Sequence, residues 1–265
     1  MHERFGPKDP DSELITAEKP RVALFVTCLV DLMRPEIGFS TLKLLEHADC
    51  EVIVPEGQTC CGQPAYNAGD RRTAHQLAVR VLAQIEGFDY VVIPSGSCAG
   101  MIKVHYLDLF VNDPEMKRRM GDLIPKIYEL TDFLANVVKV ETIPGKIDGQ
   151  VTYHDSCSGL RELGISAQPR ALLEKIPGLR LVEMKNCQSC CGFGGAFSLK
   201  YGNVSAAIVD DKVNNIHATG AQAVVLGDLG CMLNIEGRLR RLGDERTQVL
   251  HIAQVLAGDV ASGSQ

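Results

Sequence analysis

From residue 21 onward the apolar positions fall into two recurring patterns, short β-branched runs and longer stretches with a 3.6-residue repeat. The run RVALFVT at 21–27 predicts a strand, and 36–47 predicts a helix. A second strand is expected at 51–55, closed off by Pro55 and Gly57. Residues 71–85 predict a helix whose inward stripe carries Leu77, Val81, Leu82 and Ile85, before a third strand at 90–94 and a helix at 101–110. The same order returns later in the chain. Strands are predicted at 151–154, 179–184 and 223–227, with helices at 159–175, 203–218 and 231–241. Strands alternating with helices of this length imply parallel βαβ units, a sheet covered on both faces and a Rossmann-like α/β class.

The recurrence extends to individual residues, and it centres on cysteine. VALFVTC ends on Cys28, and VTYHDSC ends on Cys157. TCCG around Cys60 and Cys61 is matched by SCCG around Cys190 and Cys191, and YVVIPSGSC ending on Cys98 by AVVLGDLGC ending on Cys231. The spacing agrees: 31 residues separate Cys28 from Cys60 and 32 separate Cys157 from Cys190, while 36 and 39 lie between the Cys-Cys pairs and Cys98 or Cys231. Each half closes on a similar apolar segment, 128–135 and 250–257. Such agreement is the mark of an internal duplication. The expected organisation is a loose N-terminal tail at 1–20, a first domain at 21–143 and a second at 144–265, with the linker region within 132–148.

Composition then narrows the chemistry. The 265 residues include 10 cysteines, 25 glycines and no tryptophan, and the net charge is −6 with both signs interspersed, so there is no basic footprint for nucleic acid. No apolar run approaches the roughly 20 residues of a membrane-spanning helix. The polar, Pro-containing start MHERFGPKDPDSELITAEKP lacks the apolar core of a signal peptide, which points to a reducing, cytoplasmic setting. There, many cysteines argue for metal or redox work ahead of structural disulfides.

Ligands of open parallel sheets gather beyond the carboxyl ends of the strands. Cys28, Cys98, Cys157 and Cys231 fall at such ends, and the two Cys-Cys pairs fall in loops after second strands. Each half thus offers four thiolates, the number that holds a 4Fe–4S cluster. The glycine after each pair suits a loop that wraps closely around a metal centre, and the amides near Gly194 and Gly195 are candidate donors to sulfur. Four-thiolate structural zinc is the alternative, although zinc knuckles are usually compact CxxC pairs. Cys50 reads as a small core hydrophobe. Cys187 forms a CxxC with Cys190 that has no partner in the first half, so it is a spare thiol or an alternative ligand. His154 and Asp155, beside Cys157, are candidates to tune a centre or relay a proton, with a packing role equally open. His75, His105, His217 and His251 read as surface or packing residues.

The strings ALFVTC (23–28), PEGQTCCGQPAY (55–66), PSGSC (94–98), HDSC (154–157), CCGFGG (190–195) and GDLGCMLN (227–234) resemble the CCG, or cysteine-rich, domain family. That family occurs in heterodisulfide reductase and in the iron–sulfur subunit of glycolate oxidase. The resemblance runs from Arg21 to Ala257 and is closest to two-domain members that serve lactate utilization. It implies an iron–sulfur subunit of a complex that oxidises L-lactate to pyruvate, with one cluster on Cys28, Cys60, Cys61 and Cys98 and another on Cys157, Cys190, Cys191 and Cys231. It further implies a second iron–sulfur subunit and a third small subunit as partners, and an electron acceptor that the sequence does not identify. One departure stands out. The fuller family motif ends in CxxC, whereas this chain has Ser95 and Asp228 where the additional cysteines would stand. Their loss argues against heterodisulfide-type cleavage, and both side chains are candidate oxygen ligands.

Overall fold

The structure is a computed structural model that describes residues 18–260. The segment expected to be a loose tail lies, through residue 17, outside the described residues. Strand β1 (Arg21–Leu24) buries Val22, Ala23 and Leu24 and leads through Thr27 into α1 (Cys28–Met33) and α2 (Pro35–His47). Next come β2 (Glu51–Ile53), the short α3 (Gln63–Asn67) and α4 (Arg71–Ile85), which Asp70 caps by accepting from the Thr73 amide. β3 (Tyr90–Ile93) is followed by α5 (Gly96–Gly100), a π-type turn at Met101–His105, and α6 (Tyr106–Leu109). α7 (Pro114–Leu123), β4 (Ile127–Glu129) and α8 (Leu130–Asp132), which runs on as a π-type turn to Val137, complete the first half.

Residues 138–148 carry the chain without regular structure into the second half. It comprises β5 (Gly149–His154), α9 (Cys157–Leu163), α10 (Ala167–Leu173), β6 (Leu179–Leu181), α11 (Ala196–Lys200), α12 (Gly202–His217), β7 (Ala223–Leu226), α13 (Leu229–Arg241), β8 (Gln248–His251) and α14 (Ile252–Ala257). The sheets have one topology, β2-β1-β3-β4 and β6-β5-β7-β8, and every pairing is parallel. The α/β duplication expected from the sequence is thus realised.

Three expected elements come out differently. Each sheet has a fourth strand, β4 or β8, in or beside the apolar segments that close each half. Three or four residues feeding directly into a helix leave no break in the hydrophobic pattern. The helix expected over 159–175 is two helices, because Gly164 takes a left-handed conformation (φ 70°) and ends α9. Residues 132–137 of the expected linker are helical and bury Phe133 and Leu134.

The halves share one core. Val22, Leu24 and Val92 on one face of the first sheet belong to the same apolar cluster as Val151, Val224 and Ile252 of the second half. The opposite face of the first sheet packs Ala23, Phe25, Val91 and Ile93 against Val81, Leu82 and Ile85 of α4. Across the pseudo-symmetric junction α14 lies on α2, and α5 lies on α9. The Gly96 amide donates to the Gly227 carbonyl at 3.3 Å, tying the loop after β3 to the loop after β7. This junction brings the carboxyl ends of the two sheets side by side.

Candidate metal centre

Beyond the carboxyl ends of each sheet the chain gathers four cysteines. Cys28 opens α1, whose N-cap Thr27 takes φ 71° so that the helix can begin abruptly after the strand, and Cys157 opens α9 behind its cap Ser156. Cys98 and Cys231 lie in the first turns of α5 and α13, capped by Ser95 and Asp228. The Cys-Cys pairs sit in the loops after β2 and β6. Gly62 and Gly192 take φ 85° and 82° there, and a Cβ on Gly192 would stand 2.7 Å from the Ser205 carbonyl oxygen, so glycine is demanded by space as well as by conformation. The loops are anchored from below: Tyr106 Oη donates to the Cys61 carbonyl at 2.9 Å, and Asn234 Nδ2 to the Cys191 carbonyl at 2.7 Å.

The sulfurs meet. Cys61 Sγ lies 3.1 Å from Cys98 Sγ, and Cys191 Sγ 2.9 Å from Cys231 Sγ, distances well beyond the roughly 2.0 Å of a disulfide. Cys28 contacts Cys60 and Cys157 contacts Cys190, so all eight thiols fall into two groups of four. In each group two thiols are buried and two are half-exposed, which gives the centre a closed floor and an open rim. Thiol donors from Cys28 and Cys61, then the Gly62 amide at 3.4 Å, pull Cys60 far below the ordinary thiol range. Cys190 is lowered in the same way by Cys157, Cys191 and the Gly192 amide at 3.3 Å. The donating partners Cys28, Cys61, Cys157 and Cys191 are pushed up, because each gives its proton to a neighbouring sulfur. Binding of a metal to such a group requires the thiolate form and displaces the remaining thiol protons.

The amides directed at sulfur are those of Gly62 and Gly192, together with Leu29 at Cys28 and Phe193, next to Gly194, at Cys191; the amides of Gly194 and Gly195 themselves are not among them. Gly194 and Gly195 (φ 53° and 60°) instead turn the chain into α11, where their carbonyls accept from the Phe197 amide and the Ser198 hydroxyl. Ser95 and Asp228 are engaged with each other, and the Asp228 charge is felt at Cys157 and Cys231. Ser95 Oγ donates to Asp228 Oδ2 at 3.2 Å, and the same oxygen accepts from the Ser97 amide at 2.9 Å. The two positions where the fuller motif has its additional cysteines therefore bind each other across the junction. Sequence alone pairs them by register but gives no sign that they touch.

The second group has polar company that the first lacks. His154, at the end of β5, is 1% exposed and lies with Cys191 and Cys231 so that the three candidate ligand atoms are within 4.8 Å of one another. Neither of its ring nitrogens makes a well-formed hydrogen bond among the described residues, although the Cys187 carbonyl lies near the ring and favours its charged form. Burial, reinforced by the Lys212 charge, lowers its pKa to about 3 and keeps the ring neutral. Lys212 is itself buried, and its Nζ donates to the carbonyls of Asn186 (2.9 Å) and Cys187 (3.0 Å). Asp155 is held by a fork from Arg170 (2.8 and 3.0 Å), whose other edge reaches Glu183. Cys187 turns its thiol toward Asp155, and Cys50 is a core residue whose thiol burial raises to about 11. His251, expected as an ordinary packing residue, is fully buried and caps α14.

The donor set fits a metal centre: each half offers four sulfurs, an amide already directed at one of them, and burial on one side. Among the described residues no helix is long and apolar enough to cross a membrane. The family model of the cysteine-rich domain, CCG, matches this chain at residues 22–103 and again at 151–236. Lactate utilization protein A of Geobacillus kaustophilus (strain HTA426) is 47% identical over 236 residues, covering 89% of this chain and 98% of that one. Lactate utilization protein A 2 of Bacillus cereus (strain Q1) is 43% identical over 237 residues, with the same coverage. A crystal structure of a hypothetical protein from Helicobacter pylori shares the fold, with a TM-score of 0.65 at 14% identity over 94% of this chain and 50% of that chain. Doubled motif, doubled sheet and close relatives agree that the chain belongs to the cysteine-rich CCG domain family and carries its domain twice.

Proposed function

We propose that this chain is an iron–sulfur electron-transfer subunit of a cytoplasmic complex that oxidises L-lactate to pyruvate. The observation that carries the reading is the convergence of four thiols in each half. Cys28, Cys60, Cys61 and Cys98 would hold one centre, and Cys157, Cys190, Cys191 and Cys231 a second, each of the 4Fe–4S type. Such centres supply one-electron chemistry. The protein's part is to hold them near one another and to shape their surroundings. The Cys98 amide meets Ser95 Oγ at 3.4 Å, Ser95 meets Asp228, and Asp228 Oδ1 accepts from the Gly230 amide at 3.1 Å, one residue before Cys231. A short hydrogen-bonded path thus links the two thiol groups, which favours relay between them. Relatives named for lactate utilization support the substrate, and a sequence without a nicotinamide or flavin fingerprint favours a partner as the site of the step on lactate. A second iron–sulfur subunit and a third small subunit complete the proposed assembly.

The test is iron and acid-labile sulfide analysis, with EPR, on anaerobically prepared protein. About four irons and four sulfides per half are expected, reducible by lactate only when the partner subunits are present. Protein without iron and sulfide would defeat the reading. The Cys191, Cys231 and His154 grouping favours a second possibility, zinc on mixed sulfur and nitrogen donors, which predicts stoichiometric zinc instead.

A further inference from the structure

The two halves repeat each other position for position, yet several buried side chains near the second thiol group differ in kind from their counterparts, and two of these are ionisable. Phe25 lies three residues before Cys28 and His154 three before Cys157. The buried face of α4 is Ala74, Ala78, Val81, Leu82 and Ile85, and that of α12 is Ser205, Val209, Lys212, Val213 and Ile216, so Lys212 takes the place of Val81. Hydrocarbon in the first half is thus replaced by an imidazole and an ammonium in the second. The ammonium is accounted for by two carbonyls. The imidazole is less well served: neither nitrogen makes a well-formed hydrogen bond among the described residues, the Cys187 carbonyl being its nearest backbone acceptor, and the ring lies against Cys191 and Cys231. A buried polar group in that state calls for an explanation, and a redox or ligand-directed role is one of them.

We infer that His154 sets the second centre apart from the first: its ring N–H donates to the sulfur edge formed by Cys191 and Cys231, and with the Lys212 ammonium behind it places the second centre at the higher reduction potential. The inference rests on the reading of the thiols as ligands of iron–sulfur centres. A hydrogen bond to ligand sulfur and a nearby positive charge both stabilise an added electron, and the Lys212 charge is felt at Cys191 and Cys231. The first centre keeps its backbone donor to Cys60, but Phe25 and Val81 at the matched positions offer it neither a side-chain donor nor a buried cation. An electron delivered by a reduced iron–sulfur protein to the first half would pass to the second. One centre loses the electron, the other gains it, and no bond is made or broken.

EPR-monitored redox titration of the anaerobically reconstituted full chain tests this. Wild type should show two midpoints. His154→Phe, which installs the residue the first half already uses, should lower the upper midpoint alone and narrow the gap. His154→Gln keeps an N–H donor and should restore part of it, and Lys212→Met should lower the same midpoint should His154→Phe fail to fold. A weak nitrogen coupling to one centre in pulsed EPR should vanish in His154→Phe. Two centres whose midpoints ignore all three substitutions would overturn the inference and leave the electron-transfer reading standing. A strong coupling typical of direct ligation would overturn the hydrogen-bond role. A chain that takes up no iron would overturn both readings.

Discussion

Gly96 and Gly159 let two helices cross closely enough to bring the thiol groups together, and a single methyl group tests whether that closeness matters. A Cβ on Gly96 would stand 2.8 Å from Ser156 Oγ, 3.0 Å from the Gly159 amide nitrogen and 3.1 Å from the Gly159 Cα. Two of these neighbours are backbone and cannot rotate away. Ordinary contact begins near 3.4 Å, so α5 and α9 must separate by about 0.3–0.4 Å. Gly96 is two residues before Cys98 and Gly159 two after Cys157, so the shift reaches a cysteine of each group. Overpacking of this kind costs about 1–3 kcal/mol, offset by at most ~1 kcal/mol from the better helix propensity of alanine. The net loss for Gly96→Ala should be about 1–2 kcal/mol, read as a lower denaturation midpoint with an unchanged slope. Two controls isolate the cause. Gly100→Ala on the same helix meets chiefly the far end of the Glu162 side chain, which can swing aside, and should be nearly neutral. Gly121→Ala on α7 has nothing within 4 Å and should gain about 0.5–1 kcal/mol. If Gly96→Ala is as stable as Gly121→Ala and takes up iron as well as wild type, the close crossing is not what positions the cysteines.

Glu129 caps α8 from a buried position, and burial raises its carboxyl to about 7, against the bonds from Thr131 and Asp132 that favour the charged form. A folded-state pKa above the unfolded value of 4.5 gives stability that is complete below that value and is lost as pH rises toward 7, about 3 kcal/mol in all. Glu129→Gln should therefore match wild type near pH 5 and exceed its melting temperature at pH 8; parallel pH profiles would refute this. His154 and His251 have the opposite sign: their folded pKa values fall to about 3 and about 4, so their stability is present above 6.5 and drains as pH drops toward those values, and His251→Gln should lessen acid sensitivity in thermal melts. Tyr106→Phe removes the donor to the Cys61 carbonyl at nearly constant volume and should cost about 1–1.5 kcal/mol in urea titration. Asp228→Ala strips the acceptor from Ser95, the Ser97 amide and the Gly230 amide at once; a loss of about 2 kcal/mol or more is expected, whereas a neutral result would show that the junction does not depend on it.

The sequence made the duplication, the parallel α/β class and the eight clustered cysteines legible, because each is written in local pattern: β-branched runs, helical stripes, and motifs at matched spacing. Less local features stayed hidden. β4 and β8 are too short to interrupt the apolar segments around them. The Ser95–Asp228 bond joins residues 133 positions apart, and nothing in either neighbourhood signals the other. His154 is in view beside Cys157, but its burial against Cys191 and Cys231 is a property of what surrounds it in three dimensions. Aligning the halves residue against residue would have exposed Phe25 opposite His154 and Val81 opposite Lys212, and that comparison was available from the sequence.

Duplication supplies two frames that are equal in topology, and the places where they have diverged are not scattered. Phe25 and His154, Val81 and Lys212, Ser95 and Asp228, and Glu129 and His251 occupy matched positions, and each pair lies beside the thiols or at the junction. Much of the sheet core between them keeps its kind, Val22 answering Val151, Val91 answering Val224 and Val92 answering Val225, although the buried Thr152 stands where the first half has Ala23. A frame that served only to hold two identical centres would gain nothing from polar groups buried in one half, and burying them is costly. Retaining His154 and Lys212 while the four-thiol pattern is kept intact in both halves accords with the proposal of two centres that differ in potential, between which an electron passes in one direction.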